Sequence, residues 1–356
     1  MTTPDDSFAN DDSSSKRPLV IGAIVAIVAV IAVIFAATQL LGDDDADADG
    51  SAGPTTIRIG YQNIPNGDLV VKNQKLLEQA LGDDVTVDWQ LFESGGEVNQ
   101  AFLAGGLDVG LAGSSPVSRG LSTGIPYEVP WIHDVIGSAE ALVAREGIDT
   151  VADLKGKKIA TPIASTAHYS LLAALDDAGL SADDVTIIDA ENIQGLAAWT
   201  AGDIDAIYTW NPTLAEIKGA GGHVLIDSSQ LAAEGKVTYD LAVVSTDFAT
   251  KYPAAVQSWV DAQAQAVQQL LDNDEAAYQS IADELDISVE DVKEQTAGLV
   301  FVSAADQASA DHLDGVLPTN LYAAAKFNQE QGEIDEVADE DAYRTASNAA
   351  FAAAVK

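Results

Sequence analysis

LDVGLAGSSP, residues 107–116, runs from a short apolar stretch into Gly113, Ser114 and Ser115 and then a proline, Pro116. The run 108–112 is too short for a helix and reads as a buried strand. Small polar residues followed by Pro at the first helical position mark a helix start. Upstream, 57–61 and 85–92 read as strands, the second alternating Val85, Val87, Trp89 and Leu91 with polar residues. A helical stretch, 69–81, lies between them, and another, 97–103, closes at Gly105 and Gly106. Strands alternating with helices predict a parallel α/β sheet.

Downstream, the turn-rich segment 149–156 (DTVADLKG) separates this block from a second one. It opens with a strand at 158–162 and continues with a helix at 167–178, a strand at 185–189, a helix at 194–200 and strands at 204–208 and 223–227. An apolar run at 241–244 follows. Beyond Thr246 the chain is Ala-rich and favours helices at 256–271, 275–285, 289–299, 306–313 and 321–328. No internal repeat of fixed period is present.

Several residues carry possible chemistry. Ser114 and Ser115 combine hydroxyls with free backbone N–H groups at a helix start, which suits an anion and equally suits a plain helix cap. The segment 162–169 has the same form in the second block: Ser165 and Thr166 can cap a helix, and His168 and Tyr169 project from its first turn. Trp210 follows the strand 204–208, at the strand ends where open α/β sheets hold ligands; a lone Trp also packs into cores. Asp240 and Glu140 are single acids entering apolar strands, 241–244 and 141–144, where each either binds an ammonium group or ends a strand in solvent.

Other classes of function are excluded or left without support. A formal net charge of −39, from 56 acidic and 17 basic residues, repels nucleic acid. The chain has no cysteine, so it lacks disulfides, thiolate metal sites, a thiol nucleophile and a lipid-modified cysteine. The four histidines show no metal-ligand spacing, the Asp run after residue 42 lacks EF-hand spacing, and no H-E-x-x-H or G-x-S-x-G pattern occurs. No metal or cofactor is implied.

Residues 19–41 are 23 positions without a charge. At about 1.5 Å per residue they reach roughly 34 Å, enough to cross a bilayer core of about 30 Å, and they exceed the apolar region of a cleaved signal peptide. Lys16 and Arg17 precede the run and an Asp cluster follows, which orients the rest of the chain outward. The expectation is a disordered cytoplasmic tail (1–18), a single-pass anchor in the cell membrane (19–41), an acidic linker (42–55) and an extracellular C-terminal part.

At 92–95 (FESG), 107–116, 139–143 (AEALV), 161–174 (TPIASTAHYSLLAA), 197–210 (AAWTAGDIDAIYTW) and 239–244 (YDLAVV), the chain resembles the substrate-binding proteins of taurine ABC importers, within the aliphatic-sulfonate, nitrate and taurine-binding family. The resemblance extends from about residue 57 to the C-terminus. It implies a type II periplasmic-binding-protein fold, two α/β lobes closing on a ligand, with lobe I at 56–146 and 238–356 and lobe II at 147–237. It implies a non-catalytic receptor that passes taurine to an ABC permease and its ATPase. Carried over, Ser114, Ser115, Ser165, Thr166, His168 and Tyr169 become sulfonate ligands, Asp240 the ammonium partner, and Trp210, Glu140 and Gln62 cleft-lining residues. Two departures stand out, the loop after Gln62 (NIPNGDL) and Asn211 between Trp210 and Pro212. The rival readings are a receptor for another alkanesulfonate or small anion, a sensor domain, and an enzyme of the thiamine-pyrimidine synthase branch, whose cysteine-rich motif is missing.

Overall fold

The computed structural model describes residues 53–356. The expected tail, the anchor at 19–41 and most of the linker lie outside the described residues. Among the described residues no helix is long and apolar enough to cross a membrane.

Eleven strands, β1 (Thr56–Tyr61), β2 (Thr86–Leu91), β3 (Val109–Gly113), β4 (Tyr127–Ile136), β5 (Glu140–Ala144), β6 (Lys158–Thr161), β7 (Thr186–Asp189), β8 (Ala206–Trp210), β9 (His223–Asp227), β10 (Thr238–Ser245) and β11 (Leu299–Val300), make two sheets among the described residues. The first has the order β11-β4-β10-β3-β1-β2 and the second β7-β6-β8-β5-β9. In each, three neighbouring strands pair in parallel and the remaining pairings are antiparallel. The parallel strands are those of the βαβ pattern.

The antiparallel strands explain how one chain serves two sheets. It leaves the first at Ile136, crosses through Gly137 and Ser138, and enters the second as β5, upstream of the expected boundary at 146/147. It returns as β10, which inserts between β3 and β4. Glycine makes the crossing possible: a Cβ on Gly298 would lie 2.6 Å from the Ala139 nitrogen, and Ala139 N–H donates to the Gly298 carbonyl at 3.2 Å. This close approach also ends the helix expected at 289–299. It stops at Thr296, and Leu299–Val300 becomes the short strand β11 beside β4.

Three further departures have local causes. The expected helix 69–81 is two helices, α1 (Gly67–Gln74) and α2 (Leu76–Leu81), divided at Lys75 in the left-handed conformation, φ 55°. The pieces bury Leu69, Val70 and Val71 on one and Leu77 on the other. Strand β4 had no expectation, since Pro130 interrupts it. Its register against β10 shifts between Ala242 and Val244, so the proline sits at an irregularity where no ladder N–H is required. The helix expected at 306–313 shrinks to Ala304–Gln307, because Gln307 is buried and spends its side chain on the edge of β4, accepting from the Ile132 N–H at 2.7 Å and donating to its carbonyl at 2.8 Å.

Helices cover both sheets. The longest among the described residues, Pro253–Leu271, starts on a proline and buries Val256, Trp259, Val260, Gln263, Val267 and Leu270, a stripe at spacings of three and four. It packs with β1, β3, β4 and β10 in the larger core, and the second sheet builds its cores on Leu142, Ile159, Leu171 and Tyr208 on one face and Val143, Ile207 and Ile217 on the other.

Candidate functional site

Where the two sheets face each other, a small cavity is lined from the first by Gln62, Gly95, Gly113, Pro116, Ile136 and Asp240 and from the second by Glu140, Ser165, Thr166 and Trp210, with Ile64, Pro65, Ala139, Asn211 and Leu299 closing its sides. Strand pairing fixes its acids. Asp240 lies in register with Gly113 on β3 and with Asp134 on β4. Glu140 lies in register with Trp210 on β8.

Among the helices that begin at this cavity are α4 (Ser114–Ser122), directly after Gly113, and α5 (Thr166–Asp177), capped by Ser165, whose Oγ accepts from the His168 N–H at 3.1 Å. Between α2 and α4 the helix α3 (Gly95–Leu103) brings Gly95 against Pro116, where a Cβ would lie 2.7 Å from Cγ. The N-termini of α4 and α5 therefore present their positive ends from opposite sheets.

The two halves meet tightly here. A Cβ on Gly113 would lie 2.5 Å from Thr166 Cγ2. Gly113 has φ −65°, open to any residue, so it is the neighbour and not the backbone that demands glycine. At the rim, Ser94 Oγ donates to Glu191 Oε1 across the halves at 3.1 Å.

The carboxyls have unequal surroundings. Glu140 is buried and accepts three hydroxyls, Thr166 Oγ1 at 2.6 Å, Ser228 Oγ at 2.7 Å and Ser170 Oγ at 3.2 Å; burial pushes its pKa up and these donors oppose the rise. Asp240 and Asp134 have no such shell. Asp134 is fully buried, accepts only from Asn66 Nδ2 at 3.3 Å, and leaves Oδ1 without a partner. Burial is the main cause that lifts Asp134 to about 7. Asp240 is raised well above the usual carboxylate range, first by burial and then by repulsion from Asp134 and Glu140. Behind them Asp68 on α1 sits 3.8 Å from His133, whose imidazole burial holds neutral. No ion pair among the described residues reaches Asp134, Asp240 or Glu140.

Of the ten residues expected in the site, Gln62, Glu140, Ser165, Thr166, Trp210 and Asp240 line the cavity. The Gln62 amide is steered by Nε2 donating to the Leu111 carbonyl at 3.0 Å. Four side chains are used elsewhere. Ser114 Oγ accepts from the Tyr239 N–H at 3.2 Å and Ser115 Oγ accepts from Asn328 Nδ2 at 3.3 Å, so both hydroxyls hold α4 in place. His168 faces Glu333, with Nδ1 3.9 Å from the carboxylate, and Tyr169 stacks edge-on against Phe327 at 5.0 Å. Sequence reasoning missed Asp134, Asn211 and the loop residues Ile64 and Pro65. The signal for Asp134 was present: like Asp240 and Glu140 it is an acid within an apolar run, in the strand that Pro130 disguised.

A two-sheet α/β fold with a cavity between the halves defines a periplasmic-binding-protein-like architecture. Among solved structures, the alkanesulfonate-binding protein SsuA from Xanthomonas axonopodis pv. citri bound to MOPS superposes with a TM-score of 0.70 at 24% identity, covering 83% of this chain and 99% of that one. The aliphatic sulphonate binding protein SsuA from Escherichia coli gives 0.67 at 24%, covering 81% and 97%. The fold also extends to a desulfurization enzyme, at 0.58 and 17%, covering 82% and 96%. At these identities the likeness is one of fold.

The chain belongs to the NMT1/THI5-like family, whose model matches residues 83–277. It is 32% identical to the taurine-binding periplasmic protein of Escherichia coli (strain K12) over 290 residues, 80% of this chain and 89% of that protein.

Two consequences can be measured. Gly113→Ala is expected to lower the melting temperature, and adding Thr166→Ser, which removes the methyl group and keeps the hydroxyl on Glu140, is expected to restore it; failure of the rescue would place the defect elsewhere. A carboxyl whose pKa is higher folded than unfolded favours folding least once pH rises through its folded value. The melting-temperature gain of Asp134→Asn over the wild type should therefore be near zero at pH 4 and grow through about pH 7, and a gain independent of pH would contradict the assignment.

Proposed function

We propose that the chain is the substrate-binding protein of an ABC importer and that its ligand is taurine, captured outside the cell and passed to a permease driven by its ATPase. The observation that carries this reading is the coexistence, in one small cavity, of two converging helix N-termini and the buried carboxyl of Asp240, which has no cation and faces a second buried carboxyl, Asp134, on the neighbouring strand. Taurine is a short zwitterion. Its sulfonate suits the positive helix ends, and its ammonium supplies the charge that Asp240 and Asp134 lack. The relatives named as taurine- and sulfonate-binding proteins support the same ligand class.

Affinity of the required size is physically attainable. Micromolar binding needs about −8 kcal/mol. Taurine has about seven heavy atoms, and the ceiling for very small ligands is about −1.5 kcal/mol per atom. A few charge-assisted hydrogen bonds in a water-poor cavity meet that requirement. An alkanesulfonate without an amine would satisfy the helix ends and gain nothing from the carboxyl pair, which disfavours that second reading. Catalysis has no support from the chain: it lacks a thiol, and the four histidines include one, His133, buried against Asp68 and one, His168, turned out of the cavity.

The apolar run 19–41 supports a membrane anchor that keeps the receptor beside its permease, with the acidic linker as slack. Full-length protein should stay in the membrane pellet after an alkaline carbonate wash, and a chain starting at residue 53 should not; a full-length chain released by the wash would remove the anchor. In calorimetry the folded part should bind taurine and bind ethanesulfonate at least tenfold more weakly, and Asp240→Asn should lower taurine affinity on the order of a hundredfold, a loss of about 2.7 kcal/mol, with no loss of melting temperature. Equal affinity for the two ligands would sink the taurine reading.

A further inference from the structure

A buried acid pair with almost no hydrogen-bond donors has to solve its charge problem before the ligand arrives. Asp134 and Asp240 face each other in register on neighbouring strands, fully buried and 6% exposed respectively. Between them they carry four oxygens, and the side chain that donates to them from outside the pair is Asn66, on Asp134 Oδ2; Asp134 Oδ1 is unpartnered. The surrounding groups make matters worse. Glu140 on β5 and Asp68 on α1 add negative charge, His133 beside Asp134 is neutral, and β3 and α4 bring Gly113 and the Ser114 hydroxyl, the latter already bonded to Tyr239 N–H. Two ionised carboxylates in contact under these conditions repel strongly, and one proton held between them removes the repulsion while filling an empty acceptor.

We propose that Asp134 and Asp240 hold one shared proton in the ligand-free protein, that the ammonium group of the ligand expels it, and that Asp134 is thereby a specificity-determining residue for amine-bearing ligands. The inference rests on the taurine reading for its ligand. The balance is simple: an O–H bond of the pair breaks, the proton passes to solvent, the pair goes from one negative charge to two, and the incoming ammonium donates in the proton's place. An amine-free sulfonate has nothing to exchange and leaves the proton where it is. Discrimination then arises from the pair as a unit and not from Asp240 alone.

Calorimetry in two buffers of different ionisation enthalpy counts the protons. In the pH range where the pair holds one proton, wild-type protein should release close to one proton per taurine bound, with affinity falling about tenfold for each unit by which the pH is lowered, and ethanesulfonate should release none. Asp134→Asn should bind taurine without proton release and with affinity flat over the same range; Asp240→Asn reads the same proton from the other side if the first variant folds poorly. Normal taurine binding by the wild type with no proton release overturns the shared proton while leaving the ligand assignment intact. If taurine does not bind at all, the ligand reading fails, and the ligand-free protein still decides the pair: its infrared spectrum in the same pH range should show a protonated-carboxyl stretch that Asp134→Asn removes and Glu140→Gln keeps. Absence of that band overturns the proposal.

Discussion

Three carboxyls lie buried at one site, Asp240 and Glu140 lining the cavity and Asp134 facing Asp240 from the neighbouring strand, with no positive side chain paired to them among the described residues. Burying an unpaired charge is among the most costly things a fold can do. Glu140 is accommodated by the hydroxyls of Thr166, Ser170 and Ser228, so it is a structural acid that ties α5 and the segment after β9 to the crossing strand β5. The other two are not accommodated, and a site left electrostatically incomplete is a site complementary to a cation.

The topology is what puts this incompleteness opposite two helix ends. Parallel βαβ units deliver α4 and α5 to the carboxyl ends of β3 and β6, and the antiparallel returns, β4 with β10 and β5 with β8, bring the acids and Trp210 to the same level. Gly113 lets the halves close until Thr166 meets its backbone, and the Ser94–Glu191 bond fastens the rim.

Much of this was legible in the sequence, for reasons that can be named. The alternation of short apolar runs with helical stretches gave the two α/β blocks, and strand-end acids, a Ser-Thr helix start and the strand-end Trp210 picked out five residues that line the cavity, the sixth, Gln62, coming from the family resemblance. What was not legible depends on direction and on distant partners. Whether His168 faces the ligand or Glu333, and whether Ser115 faces the ligand or Asn328, is settled by helices more than 150 residues away in sequence. Asp134 was hidden by Pro130, which argues against a strand unless a bulge absorbs it, and the crossing near residue 138 was misplaced because Gly298, its partner, lies in a segment that reads as helix on local propensity alone.

The central claim is an orientation: ammonium at the carboxyl pair, sulfonate at the helix ends. A crystal structure of residues 53–356 with taurine reads it directly. The account predicts the taurine nitrogen within hydrogen-bond distance of Asp240, on the side that faces Asp134, and the sulfonate oxygens at the backbone N–H groups that open α4 and α5. A sulfonate placed against Asp240, or a nitrogen held by Glu140 alone, would contradict it.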